Sequence, residues 1–589
     1  MILQALTSLY EALAPKGEVP KEGWSPERIS FALGIDENGD LLRITPLFKP
    51  GDMPKEKKKE EPQEMTVPAA VKRTSGAAAN FLWDNSSYIL GVSLKKGEDD
   101  AEREKRRNKD IKCFEACREL HHSMLDGMEY PAAKAVLNFL DKWEPQKAEE
   151  NNLVAQYAKE ILSGANMVFR FNGGYVHDDP QLASVWQKAN AKQKDNIGQC
   201  LVTGALDEIQ NTHPAIKGVQ GAQSSGAALV SFNAFAFCSY NKEQNQNAPV
   251  GKYAAFAYTA ALNHLLKDRK NVHRIGDAAV VCWAENADKQ YEEFAADLFF
   301  GDGDGDQSDE QRLSALQASV ELLAKGLPCR ELDLDPERKF YILGISPNAA
   351  RLAVRFFYCD SFGNIVKNIK AHYDRLEIVR PSYDKYPMLP LWKLLSATVN
   401  PSAKDKTPNP AMAGAVARAV FSGGRYPASI LECTFLRIRA EREITRERAA
   451  IIKAYYLRNP NEKCPKEVLT VSLNENSKNI PYTLGRLFSV YEEIQQAANP
   501  GINTTIKDRY FGSAAAMPAT VFPILSNLAQ KHLRKLSDAQ RVYLDKKVMT
   551  LKSVLGEQYP AHMSLPEQGS FDLGYYHQTQ ARYTKKEDK

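Results

Sequence analysis

The sequence predicts a multidomain α+β protein, with a mixed α/β amino-terminal portion followed by a carboxy-terminal helical bundle. Three observations carry that expectation. The chain has 589 residues, enough for roughly two to four domains with sizeable cores. Between about residues 160 and 300, short apolar runs alternate with amphipathic ones. Beyond Ala411 apolar residues recur at helical spacing with short connections. The expected divisions are 1–300, then a linker and small α+β unit over 301–400, then a basic bundle over 401–589.

Taken in order, Ile2 to Ala14 reads as a helix. In ISFALGIDENGDLLRITPLF, Ile29, Phe31, Leu33 and Ile35 alternate up to an Asn38-Gly39 turn, which predicts a hairpin of type I′. KPGDMPKEKKKEEPQEMTVPA is too polar to bury and reads as a mobile loop whose lysines 57–59 can swing onto DNA. A charged helix is expected from about Asp99 to Leu125, with further helices near 131–143 and 149–163. NMVFRFNGG and CLVTGALDEI read as strands, PQLASVWQKAN and APVGKYAAFAYTAALNHLLKD as helices, and DAAVVCWAEN as a buried strand. KFYILGIS and RLAVRFFYCDS pair across SPNAA, ahead of the helix NIVKNIKAHYDRL. ERAAIIKAYYLR, TLGRLFSVYEEIQQAA, FPILSNLAQKHLRKL and DAQRVYLDKKVMTLKSVL supply four amphipathic helices. Their expected outer faces carry Arg448, Lys453, Arg486, Lys531, Arg534, Lys535, Lys546 and Lys547.

Charge is uneven. From Pro401 onward there are 28 Lys+Arg against 18 Asp+Glu, whereas the first 400 residues are net acidic. The basic third points to an anionic partner, or else to a solvated helical surface. The nine cysteines are scattered, and only Cys113 and Cys117 are close, so neither a disulfide framework nor a zinc spacing is expected. The first apolar stretch lacks a basic flank and carries Glu11, which reads as no secretory signal. A cytoplasmic protein without a membrane partner is expected.

HPAIKGVQGAQSSGAALVSFN invites a catalytic reading and then refuses it. Gly221 and Gly226 have the spacing of a nucleotide phosphate loop, but Ala227 and Ala228 stand where Lys and Ser/Thr are needed to hold phosphate and magnesium. GxSxG is absent, so no nucleophile elbow is signalled. Asp302, Asp304 and Asp306 match the first ligands of a calcium loop, but Gln307 replaces the glycine and Leu313 the final Glu. The reading there is a solvated acidic loop with Ser308 capping the next helix. No catalytic residue, metal site or cofactor is expected. What remains of the glycine-rich stretch is close approach. Glycines admit a partner to the backbone, Lys217 can meet a phosphate, and Gln220, Gln223, Ser224, Ser225 and Asn233 offer neutral donors and acceptors for base edges. The alternative is a small-residue turn that packs a helix on a sheet.

Several long blocks, in order along the chain, together carry a resemblance. They are NFLWDNSSYILG, HPAIKGVQGAQSSGAALVSFN, NAPVGKYAAFAYTAALNHLL, ILGISPNAARLAVRFF and IKDRYFGSAAAMPATVFPILSNLAQKHL. The sequence resembles the large subunit of the subtype I-C CRISPR Cascade, an RNA-guided DNA surveillance complex. The resemblance implies a non-catalytic subunit at the 5′ end of the guide RNA that finds the protospacer-adjacent motif in double-stranded target DNA, aids strand opening and stabilises the R-loop. It implies backbone, guide-processing and small Cascade subunits as partners, the small one made by internal translation of the same gene, and a helicase-nuclease recruited to cut. Candidate nucleic-acid contacts are the glycine-rich loop, where a Gln can act as a wedge, and the turn Lys72, Arg73 and Ser75. There Lys72 and Arg73 would hold phosphates while Asn80 or Asn85 reads a base. On the bundle the candidates are Lys507, Arg509, Lys531 and Arg534, with Lys507 and Arg509 alternatively paired to Asp508 or neighbouring acids. Two other readings stay open: a scaffold that does not read DNA, and a nuclease or hydrolase without a recognisable motif.

Overall fold

The alternation of Phe31, Leu33 and Ile35 produces a strand whose five residues are all buried, and the first part of the chain is organised around it. The computed structural model describes residues 1–50, 60–71, 73, 76–95, 97–192, 196–232, 234–268, 271–300, 310–384 and 386–583. Two units separate: Leu13–Thr212 with Phe232–Ala261, and Met1–Ala12 with His213–Ser231 and Leu262–Lys589.

In the first unit the strands are β1 (Trp24–Ile29), β2 (Phe31–Ile35), β3 (Leu41–Pro46), β4 (Phe48–Pro50), β5 (Glu60–Pro68), β6 (Trp83–Asn85), β7 (Asn166–Phe171), β8 (Gly174–Tyr175), β9 (Ile197–Gln199) and β10 (Leu206–Glu208). β2 lies between β3, antiparallel, and β7, parallel; β6 and β8 both pair with β7. One face of this sheet carries Phe31, Leu33, Ile35, Met167 and Phe169. They pack with Phe114 and Cys117 of the helix Asp100–Leu125 and with Val136 and Phe139 of the helix Pro131–Lys142. The other face carries Ala32, Trp83 and Val168 against Ile29 of β1 and Val67 of β5. Burial on both faces explains why the residues between the large ones, Ala32 and Gly34, are small and carry no polar group.

Several expectations are corrected here. The loop between β2 and β3 is not a two-residue I′ turn: only Gly39 of the Asn38-Gly39 pair has positive φ, and Asp36 Oδ1 accepts from the N–H groups of Asn38 and Asp40. The polar stretch expected as a loop contributes β4 and β5, the latter lying between β1 and β4, because its Val67 is fully buried. Residues 51–59, with lysines 57–59, lie outside the described residues, as does the acidic stretch 301–309 with its calcium-like aspartates and Ser308. CLVTGALDEI is not one strand; Cys200 to Ala205 form the turn of the β9–β10 hairpin. The helix expected over 149–163 breaks into the single turns Asn152–Ala155 and Ala158–Ile161.

In the second unit β11 (His273–Ile275), β12 (Ala278–Ala284), β13 (Lys339–Asn348) and β14 (Arg351–Ser361) form an antiparallel sheet in that order. Thus the apolar strand DAAVVCWAEN pairs with KFYILGIS, Val281 opposite Leu343. The helix Phe362–Leu376 follows, capped by Ser361. From Pro410 onward the described residues form a bundle of eight helices of eleven residues or more. Four of these were not expected, among them Leu565–Tyr583, which packs along Ile480–Ala498. Glycines set that approach: a Cβ on Gly485 would clash with the carbonyl of Phe571 and lie 2.8 Å from the N of Tyr575. A Cβ on Gly574 would clash reciprocally with the carbonyl of Tyr482.

Three of the eight basic residues placed on outer faces are buried instead. Arg448 pairs with Glu441 and donates to the carbonyls of Ala397 and Glu443. Lys453 donates to the carbonyl of Arg375, and its burial pulls its pKa down. Arg486 donates to Gln578 Oε1 and to the carbonyls of Asn474 and Glu475. Each guanidinium or ammonium satisfies carbonyls that a helix end or loop leaves without partners, so the charge is structural.

Candidate nucleic-acid interface

The glycine-rich stretch closes on itself. Ile216 and Ala227 exchange backbone hydrogen bonds, each N–H 2.9 Å from the other's carbonyl, and so tie off a loop of residues 217–226. Its base is pinned twice. Asn263, on the helix Lys252–Lys267, accepts from the Lys217 N–H at 2.8 Å and donates to the Ala215 carbonyl at 3.2 Å. Ala228 bridges to the β13–β14 hairpin through Ala350 and Leu352. Internal turns run from the Ala222 N–H to the Val219 carbonyl and from the Gly226 N–H to the Gln223 carbonyl.

The glycines serve this geometry. Gly218, Gly221 and Gly226 all have positive φ. At Gly226 (φ +96°) a Cβ would sit 2.8 Å from Ala215 Cβ and 2.9 Å from the Ile216 carbonyl oxygen. Ile216, Val219 and Ala227 point inward and are buried, as is His213 at the loop's entry, whose imidazole burial holds neutral with a pKa lowered to about 4. The opposite side is exposed: Lys217, Gln220, Gln223, Ser224 and Ser225 all face solvent. Gln220 Oε1 accepts from Arg274 Nη1 at 3.2 Å, which adds a guanidinium to the loop's rim. The backbone N–H groups of Gln223, Ser224 and Ser225 have no intramolecular acceptor among the described residues. Five of the six site residues expected in this stretch are therefore brought together on one surface. Asn233, the sixth, lies outside the described residues.

The second cluster, in the other unit, is more self-absorbed. Lys72 and Ser75 lie outside the described residues. Arg73 pairs with the buried carboxylate of Asp84, donates to the Ala78 carbonyl at 2.7 Å, and lies 3.9 Å over the ring of Tyr88. Burial holds the Asp84 carboxyl above its usual range, and the Arg73 hydrogen bond opposes that shift. Asn80, only 4% exposed, accepts from the Val71 N–H, and Asn85 caps the helix Ser86–Ile89 through the Ser87 N–H. Both amide oxygens are thus engaged in shaping the segment.

Beneath it His121 accepts from the Leu82 N–H at Nε2 and donates from Nδ1 to the Cys117 carbonyl, which fixes one tautomer. Burial pushes its pKa down to about 4. The unfolded chain then binds a proton at higher pH than the folded one, so the stabilisation from His121 is complete above about pH 6.5 and drains away as pH falls toward 4. The stability difference between wild type and His121→Gln, from urea melts, is expected to shrink between pH 7.5 and 5. A difference flat across that window would contradict the assignment.

On the bundle, Lys531 and Arg534 are exposed one turn apart at the end of the helix Pro518–Leu533, and Arg509 is exposed on the helix Ile506–Ala516. Lys507 is half-buried. The alternative pairing to Asp508 does not form: Asp508 accepts from the Thr505 N–H in a capping box. Among the described residues none of these four cations has an ion-pair partner.

The match that decides the family spans both units. A family model described as CRISPR-associated protein (Cas_Csd1) matches residues 6–583. The chain belongs to that family. A search of curated proteins finds no match for this Cas_Csd1 chain. No described helix is long and apolar enough to cross a membrane, and no group of three or more His, Cys, Asp or Glu suited to a metal ion occurs among the described residues. Two residues of the loop site escape sequence reasoning. Asn263 left one signal, a polar residue within an apolar helical run. Arg274 left none, since its contact with Gln220 spans 54 residues.

Proposed function

We propose that this Cas_Csd1 protein is the non-catalytic large subunit of a subtype I-C RNA-guided surveillance complex. In this reading it recognises a protospacer-adjacent motif in duplex DNA with the loop 217–226. It aids strand opening, stabilises the R-loop beside the guide RNA, works with the backbone, guide-processing and small subunits in the cytoplasm, and recruits a separate helicase-nuclease. Base pairing then reads the long sequence, and protein reads only the short motif.

The observation that carries the reading is the loop's division of labour. Its backbone is fixed by Asn263, the Ile216–Ala227 pair and the β13–β14 hairpin, while two exposed amides, two exposed hydroxyls and three N–H groups without an acceptor among the described residues stand beside Lys217 and Arg274. Such a surface suits neutral hydrogen bonding to base edges, with cations at the rim for phosphates. The unpaired bundle cations suit phosphate contacts along a strand, whose affinity falls with salt.

In an assembled complex, Gln223→Ala with Ser225→Ala is expected to reduce discrimination between motif and non-motif duplexes by about tenfold or more in gel shifts. Unchanged discrimination would remove the loop from the mechanism. Purified protein with DNA and magnesium, or with ATP, is expected to show no turnover; turnover that tracks a point mutant would overturn the non-catalytic reading.

A further inference from the structure

We propose a second nucleic-acid site, in the unit that contains Phe232–Ala261: the segment 234–247 is a preset aromatic loop that stacks unpaired nucleobases. This rests on the reading above only in taking the protein to meet opened strands. Phe235 and Tyr240 are each 94% exposed, and Phe237 is 43% exposed. A partner stacked on rings so bare to water would take their apolar faces out of solvent.

The loop carrying them is held from within. Asn247 Oδ1 accepts from the Ser239 N–H at 2.8 Å, and its Nδ2 donates to the carbonyls of Lys242 and Gln244 at 3.0 and 2.9 Å. The buried Asn245 donates to the Gln210 carbonyl at 2.6 Å. Backbone turns link Ala234 to Phe237 and Ser239 to Lys242. Tyr240, Asn241 and Gln244 stand at φ of +53°, +57° and +42°, the left-handed region that L residues rarely adopt. Backbone held there by the three hydrogen bonds of the Asn247 amide is preset to display the rings before a ligand arrives.

The surroundings select the ligand. Ser239, Asn241, Lys242, Glu243, Gln244 and Gln246 are exposed around Tyr240, so the rings stand in a polar loop. Every base offers a π face of either ring's size, and the neighbouring amides offer partners for base edges. Bases within a duplex have both faces covered by their neighbours, so the ligand is an unpaired strand. Lys242 supplies a cation for its backbone.

The test compares full-length protein binding to a mixed-sequence oligodeoxynucleotide of about twenty nucleotides and to a strand of equal length carrying a central abasic tract. Wild type is expected to prefer the base-bearing strand. Phe235→Ala with Tyr240→Ala is expected to lose about fivefold or more of that preference per ring, Tyr240→Phe to retain it, and the thermal midpoint to stay put because both rings are exposed. No preference in wild type, or a preference unchanged in the double variant, would overturn the proposal. So would a variant that binds both strands like wild type but loses association with another protein subunit, which would make the loop a protein contact. Motif discrimination on duplex DNA, measured with the Gln223 and Ser225 variants, fails or stands independently, so failure of this site is distinguishable from failure of the functional reading.

Discussion

Alanine at Gly485 or Gly574 is expected to unfold the carboxy-terminal bundle at temperatures where wild type is intact. The two glycines face each other's helices: a Cβ on Gly485 meets the Phe571 backbone, and one on Gly574 lies 2.9 Å from the Tyr482 carbonyl carbon. The obstacles are backbone atoms of helices already buried, so no side chain can swing away. Relief requires the helices to part, which strips contact from Tyr482, Phe488, Phe571 and Tyr575 and strains the buried bonds Tyr482 to His577 and Tyr575 to Glu492. Overpacking in a close-packed core costs about 1–3 kcal/mol and more where backbone must move. A loss of about 3 kcal/mol or more is expected in urea melts for either variant. Gly512→Ala is the matched control. It lies exposed in the helix Ile506–Ala516 with open space around its Cβ, and alanine there is expected to add about 0.5–1 kcal/mol. Equal effects at positions 485, 574 and 512 would contradict the packing described.

The second large effect is functional. Gly226→Ala is expected to abolish motif discrimination while the chain stays folded. Positive φ and two contacts under 3 Å both oppose a Cβ at this position, and the second contact is the Ile216 carbonyl that closes the loop. Opening that closure frees the segment bearing Gln223, Ser224 and Ser225 from its rigid base. The disruption is confined to a surface loop, so the melting transition is expected to shift by no more than a few degrees. A Gly226→Ala protein that discriminates motifs like wild type would show that the closed loop is not what matters.

What the sequence revealed follows from which forces leave periodic traces. The strands β2, β12, β13 and β14 and the helices Lys252–Lys267 and Ile480–Ala498 bury apolar faces, and their spacing shows it. The helix Leu565–Tyr583 left no such trace: every residue from Gln568 to Gln578 is buried, so Phe571, Leu573, Tyr575 and Tyr576 are mixed with buried Gln568, Ser570, Asp572, His577 and Gln578 and form no periodic stripe. Arg448, Lys453 and Arg486 misled for the same reason. A cation that satisfies buried carbonyls has the same letter as one in water. At the candidate site, the glycines and the exposed amides and hydroxyls were legible as residue types. Their anchors were not, because Asn263 and Arg274 reach the loop across 46 and 54 residues of sequence.

The central claim is that loop 217–226 touches the motif duplex. A photoreactive amino acid in place of Gln220 or Ser224, in an assembled complex bound to motif-bearing DNA, tests it most directly. Crosslinks at base pairs of the motif, lost when the motif is scrambled, are the predicted result. A loop that crosslinks only to protein, or to DNA with no dependence on the motif, would contradict it.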